Sequence, residues 1–319
     1  MDHGPSTSPP SPGRTGLALG LGAYLLWGVL PLYFPLLAPA GAVEIIAHRV
    51  VWSLVFCAFL LTITRGWAPV VAAVRHRRTL GLLTVAAALI AVNWLVYVYS
   101  VLSAHVVDAA LGYFLNPLVT VLLAVFVLGE RLRTTQWVAL TFGGLAVVVI
   151  ALGNARVPWI AITLAMSFGL YGLIKNRVGR TVTALAGLTV ETAVLAPLSA
   201  GYLIWLQVTG AGAFTTHGGW HAVALLCAGI VTATPLLLFG GAARRLPLRT
   251  IGLLQYVAPT AQFLLGLFFF HEQMPVARWI GFGLVWLALV VLTVDGLRTT
   301  RAEALARRAD AAQPRTVLV

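Results

Sequence analysis

The chain has 319 residues, 60% of them hydrophobic and only 9% charged, with a mean hydropathy of +0.94. That balance excludes a soluble globular domain and a disordered chain, because neither carries so much hydrocarbon for so few charges. The net charge of +12 suggests a polyanion ligand at first sight, but its placement along the chain assigns it to membrane topology and not to nucleic acid.

Residues 1–15, MDHGPSTSPPSPGRT, are rich in proline and serine and read as a disordered tail. A helix needs about 20 apolar residues to cross a hydrocarbon core of about 30 Å. Ten such stretches follow, at 16–37, 43–64, 79–102, 107–128, 134–153, 157–176, 183–207, 220–242, 250–270 and 276–297. A basic tail closes the chain at 298–319. The expected fold is therefore an all-α integral membrane protein with ten transmembrane helices.

The second half of the chain repeats the first at an offset of 142 residues. Pro117, Glu130 and Trp137 recur as Pro259, Glu272 and Trp279, and Leu122, Leu123 and Phe126 recur as Leu264, Leu265 and Phe268. The repeats occupy 16–153 and 157–297 with five spans each. An odd number of spans turns the second copy upside down in the bilayer, and inverted repeats are the architecture of alternating-access transporters.

All the lysines and arginines except Arg49, Arg156 and Arg278 fall in the tails and in alternate loops, on one side of the membrane. The positive-inside rule makes that side cytoplasmic and places both termini there. Lys175 is the only lysine, and the preference for arginine points to a high-GC bacterial genome. Cys57 and Cys227 lie in apolar spans and read as small buried hydrophobes.

Charges inside spans are rare and mark candidate sites. Arg49 lies roughly 9 Å inside the outer end of the second span, and Glu191 a similar depth inside the inner end of the seventh. They are repeat mates of opposite sign. They either face a central cavity that takes charged solute or a proton, or form a structural charge network that locks helices. His48, next to Arg49, is a candidate for proton coupling or a packing histidine. Glu44, Asp108 and His105 sit near outer helix ends and suit pairing roles.

Prolines at 31, 117, 197, 235 and 259 interrupt the spans, and each frees a carbonyl that only protein or a wet cavity can satisfy. Asn116, Gln255 and the Asn93–Trp94–Tyr97 cluster stand near such breaks or in equivalent helices. With Arg49 and Glu191 they form a candidate substrate-binding constellation. Glu130 and Glu272 end helices where the dipole disfavours a carboxylate, so each should have a basic partner such as Arg131, Arg133 or Arg278.

No Walker loop, nucleophile elbow or metal cluster is present, and Pro275 replaces the second histidine of an HExxH motif that begins at His271. No metal or cofactor is expected. A membrane-embedded enzyme acting on a lipid-like substrate stays as the alternative, with His105 and Asp108 as its nearest residues.

The segments AYLLWGVLPLYF, VEIIAHRVVWS, NWLVYVYSV, ALGYFLNPLVTVLLAVFVLGERL, LTVETAVLAPLSAGYL and AGIVTATPLLLFGGAARRLPLRTIGLLQYVAPT resemble the RarD branch of the EamA-type drug/metabolite transporters. The resemblance runs from about Leu17 to Leu297. It implies ten helices in two inverted halves, a cytoplasmic-membrane location and solute translocation. Glu44, His48, Arg49, Asn93, Asn116, Glu191 and Gln255 fall inside its motifs. Many members carry lysine where this chain has Pro35, so no role for that lysine transfers here. The expected function is a bacterial inner-membrane secondary transporter that exports small metabolites or amphiphilic drugs by proton-coupled alternating access. The expected partners are a small-molecule solute and the lipid bilayer, with homodimerisation left open.

Overall fold

The computed structural model describes residues 12–129, 131–153, 156–179 and 181–312. Among them the chain forms helices α1 (Pro12–Val29), α2 (Ala42–Ile63), α3 (Ala68–Arg75), α4 (Arg77–Leu102), α5 (Val106–Leu128) and α6 (Thr134–Gly153). It continues with α7 (Trp159–Val178), α8 (Ala184–Thr209), α9 (Gly218–Ala243), α10 (Leu248–Leu254), α11 (Val257–Phe268) and α12 (Val276–Ala312). Nine stretches among the described residues are long and apolar enough to cross a membrane. Large apolar side chains such as Phe126, Leu198 and Trp220 stand exposed on the helices, as hydrocarbon contact requires.

The helix starts carry the repeat: Ala42 and Ala184, Val106 and Leu248, and Thr134 and Val276 are each 142 residues apart. Where local chemistry intervenes, the elements depart from the expected spans. The first span was expected to be one helix through residue 37, but α1 stops at Val29 and two 3-10 turns follow, Leu30–Leu32 and Phe34–Leu37. Pro31 and Pro35 cannot donate to the carbonyls four residues earlier, so the α-ladder cannot continue. The expected 250–270 span is likewise split into α10 and α11 at Gln255-Tyr256, four and three residues before Pro259.

The expected 157–176 span corresponds to α7, which is not among the nine; its last turn carries Lys175 and Arg177. The short helix α3 had no counterpart among the expected elements. At the other end, α12 runs unbroken through residues 298–312, which were expected to be tail.

The contacts divide the chain into two units, each drawing on both sequence halves. The first comprises residues up to Tyr113 together with Trp159–Gln273, and the second comprises Phe114–Pro158 and the chain from Met274 onward. In the second unit α6 packs along α12, and Phe114, Phe282 and Trp286 form an edge-on aromatic cluster. Arg133 pairs with Asp295 at 2.8 Å, and the Thr135 hydroxyl donates to the same carboxylate at 2.6 Å.

In the first unit α2 packs against both α8 and α9. The α2–α8 pair is antiparallel. Glu44, at the start of α2, accepts from the Ala213 N–H just beyond α8 at 2.7 Å, while Cys57 in the latter half of α2 meets Thr189 in the first half of α8. The approach of α2 to α9 depends on Gly229, where any Cβ would overlap the backbone of Trp52.

Glu272 uses its carboxylate to cap α5, accepting from the N–H groups of Val106 and of Val107, the latter at 3.1 Å. These are free donors at the positive end of a helix dipole, which stabilise a carboxylate as a basic side chain would. Its repeat mate, Glu130, lies outside the described residues.

Candidate functional site

Arg49 is 3% exposed, midway between α2's first turn and its centre. Its Nε donates to the Thr232 hydroxyl of α9 at 2.9 Å, and that hydroxyl in turn donates to the Ala228 carbonyl at 2.7 Å. The guanidinium carbon lies 4.8 Å from the ring centre of Trp94 and 5.4 Å from that of Phe34. Tyr33, Tyr97 and Tyr113 are within electrostatic reach. Among the described residues Nη1 has no hydrogen-bond partner, and no carboxylate pairs with Arg49.

This enclosure has a definite energetic meaning. Burying a cation costs several kcal/mol even after relaxation. Each of the two cation–π contacts returns about 2 kcal/mol when desolvated, and a hydrogen bond from a charged donor about 1.5–3 kcal/mol. The cage thus offsets much of the cost, while Nη1 keeps no hydrogen-bond partner among the described residues.

The wall of the cage is a connected polar and aromatic network. Tyr97 packs edge-on against Phe34 at 5.8 Å and against Tyr113 at 5.5 Å. The Tyr113 hydroxyl donates to Asn93 Oδ1 at 3.1 Å, and Asn93 Nδ2 donates to the Leu164 carbonyl and the Ser167 hydroxyl of α7. Asn93 is therefore a fully engaged strut that fixes Tyr113.

Gln262 of α11 lies beside Tyr97. It donates to the Trp27 carbonyl at 3.1 Å, the group that Pro31 leaves without its helical partner. The Tyr97 hydroxyl, Gln262 Oε1 and Arg49 Nη1 are buried and make no hydrogen bond of good geometry among the described residues, although the Tyr97 hydroxyl and the Gln262 side chain lie close enough to interact with each other. One region thus holds a cationic donor without a partner among the described residues, beside a hydroxyl and an amide oxygen that can pair with each other.

Glu191, the repeat mate of Arg49, is in a different setting. It is 1% exposed, and its Oε1 accepts from Lys175 Nζ of α7 at 2.7 Å while Oε2 accepts from the Tyr171 hydroxyl at 3.2 Å. Each charge sits seven residues from the start of its helix, and the helices are antiparallel, so the two lie at different depths and face different neighbours.

The other expected residues distribute as follows. Tyr97 and Asn93 join the Arg49 cluster. His48 stacks on Phe214 at 5.0 Å and accepts from Trp52 Nε1 at 3.1 Å, with its Nε2 unpartnered. It faces a cavity of about 50 Å³ shared with Glu44 and Gln207. Gln255 stands at the α10–α11 break and makes no side-chain hydrogen bond with the cluster among the described residues. Asn116 belongs to the second unit, where its Oδ1 is buried and unpartnered. His105 holds its own turn through the Ser103 carbonyl at 2.6 Å.

Sequence reasoning passed over Thr232, Tyr113, Gln262, Phe34 and the Lys175 partner of Glu191. Gln262 alone had a usable signal, a lone amide in an apolar helix one turn beyond a proline.

Apolar spans around buried charges define a multi-pass integral membrane protein. The EamA-like transporter family model matches residues 14–152. The chain is 53% identical to Protein RarD of Streptomyces exfoliatus over 288 residues, covering 90% of this chain and 91% of that protein. It is 42% identical to an uncharacterized transporter of Vibrio cholerae, covering 92% and 97%, and 29% identical to a chloramphenicol-sensitive protein RarD of Pseudomonas aeruginosa, covering 91% and 97%. A crystal structure of 22% sequence identity superposes with a TM-score of 0.57 over 89% of this chain and 99% of that one, a likeness of fold. The chain belongs to the RarD branch of the EamA-like transporter family and is a membrane transporter.

Proposed function

We propose that the protein is a bacterial inner-membrane secondary transporter. It exports small metabolites or amphiphilic drugs that carry an anionic group, by proton-coupled alternating access. The observation that carries this reading is the buried guanidinium of Arg49, enclosed by aromatic rings and lacking a carboxylate partner among the described residues. A solute anion would complete the charge that folding leaves unbalanced, and the rings of Trp94, Phe34 and Tyr97 would cover its apolar part. Tyr97 and Gln262 would supply the polar contacts that set its orientation.

Glu191 takes the coupling role in this reading. It has a protein cation already, so it exchanges a proton when Lys175 withdraws, while His48 lines the approach from the other end. Gln255 contributes from the break between α10 and α11 that precedes Pro259. The antiparallel packing of the repeat mates α2 and α8 supports an inverted architecture, with α7 as the tenth span. The basic residues in alternate loops support cytoplasmic termini.

The test is flux in proteoliposomes containing purified protein, with anionic amphiphiles and their neutral amides as paired probes. The anion should move and its amide should not, and Arg49→Ala should abolish movement. Wild-type flux through Arg49→Ala would overturn the assignment.

A further inference from the structure

The short helix α3 has no part in the Arg49 site. Its inward residues Val70 and Ala73 are buried in a cluster with Leu61, Leu83, Val178 and Val190, which pins α3 onto α4 and α8. Val71 and Val74 remain exposed. Beside α3 lies an open groove of about 290 Å³ lined by Leu54, Trp67, Val70, Val74, Val190 and Val194. The one hydroxyl on its wall, Thr189, is turned to its own helix, donating to the Leu185 carbonyl at 2.8 Å. The groove therefore offers hydrocarbon and no polar claim.

The ends of α3 have the opposite character. Arg65 precedes it, Arg75 closes it, and Arg77 and Arg78 open α4, all four exposed. The sequence has no aspartate or glutamate between Glu44 and Asp108, and none of the four arginines forms a carboxylate pair among the described residues. Trp67 stands between the two zones, with its indole N–H donating to the Thr62 hydroxyl at 3.2 Å. Tryptophan in this position marks a water–lipid boundary.

We infer that this groove is a binding site for an anionic phospholipid, with one acyl chain in the groove and the phosphate on Arg75, Arg77 and Arg78. Topology alone needs positive charge somewhere in the loop. It does not need an apolar slot beside it, nor a helix pinned to form the slot's wall. Together they match an amphiphile with a hydrocarbon tail and a negative head. An arginine near a membrane surface strengthens attraction to anionic lipid by about fivefold, so three should give a selectivity well above tenfold.

The measurement is lipid retention by native mass spectrometry of the purified full-length protein, using phosphatidylglycerol and phosphatidylcholine of identical chains. Wild type should retain phosphatidylglycerol at least tenfold more. The triple variant Arg75→Gln, Arg77→Gln, Arg78→Gln should bring the ratio close to one, and Ala193→Phe, which fills the groove, should lower retention of both lipids. A melting curve matching wild type confirms that each variant is folded. Equal retention of the two lipids by wild type, or an undiminished preference in the triple variant, would overturn the inference. The readout is independent of solute flux, so it stands or falls separately from the Arg49 site.

Discussion

Arg49 and Glu191 each sit seven residues into helices whose starts are 142 residues apart, yet the chain treats them in opposite ways. Glu191 is given Lys175 and Tyr171, so its charge is neutralised within the fold. Arg49 is given rings, one hydroxyl and no anion among the described residues. A buried charge with its partner built in serves the fold's own electrostatics. One without a partner is stabilised fully only when something arrives from outside. In the proposed reading, this difference separates a structural or coupling position from a ligand position, although the sequence presents the two as mirror images.

Substitution at the two positions should therefore move stability in opposite directions. The largest effect is expected for Arg49→Met, which should reduce flux at least a hundredfold, through loss of about 3 kcal/mol of solute binding. The same variant should melt higher than wild type without solute, since an uncompensated buried cation is removed. A lower melting point would erase the distinction drawn above.

Glu191→Gln should instead lower stability by about 1–3 kcal/mol, because Lys175 loses its counter-charge. The figure sits below that for a fully enclosed pair because Lys175 is 26% exposed. Thermal denaturation in detergent reads both changes, and Lys175→Met combined with Glu191→Gln should recover most of the loss. Trp94→Leu removes the nearer ring of the cage and should weaken solute affinity about tenfold. Thr232→Val deprives Arg49 Nε of its acceptor while keeping shape, and should cost about 1 kcal/mol in affinity, roughly fivefold, measurable in the same flux assay.

Apolar length and the recurring proline, glutamate and tryptophan made most helices legible in the sequence, because spans and their starts follow from hydropathy and repeat spacing. The elements that escaped are those governed by short-range chemistry. Helix α3 is too short for a span, and its burial pattern has meaning only against α8. The break at Gln255-Tyr256 comes from the effect of Pro259 on carbonyls a turn earlier, a local event inside a continuous apolar run.

At the site, Arg49 stood out because a charge in hydrocarbon is rare. Its surroundings did not, since Phe34, Trp94 and Tyr113 look like any aromatics of a membrane helix until folding gathers them. Lys175 looked like a topology-setting residue at a helix end. Its flexible stem reaches over Gly187, where a side chain would collide with Nζ, to meet Glu191. That glycine–lysine–glutamate relation exists only in three dimensions.

Helix α12 has one more consequence. Its apolar stretch ends near Thr299, but the helix continues to Ala312, so a rod of roughly 20 Å extends beyond the hydrocarbon. Rooted along α6 in the second unit, that rod would act as a lever arm if its membrane portion tilts. A small tilt of its membrane portion becomes a larger sweep at the tip, and a fluorophore placed there would convert each turnover into a distance signal without touching the solute path.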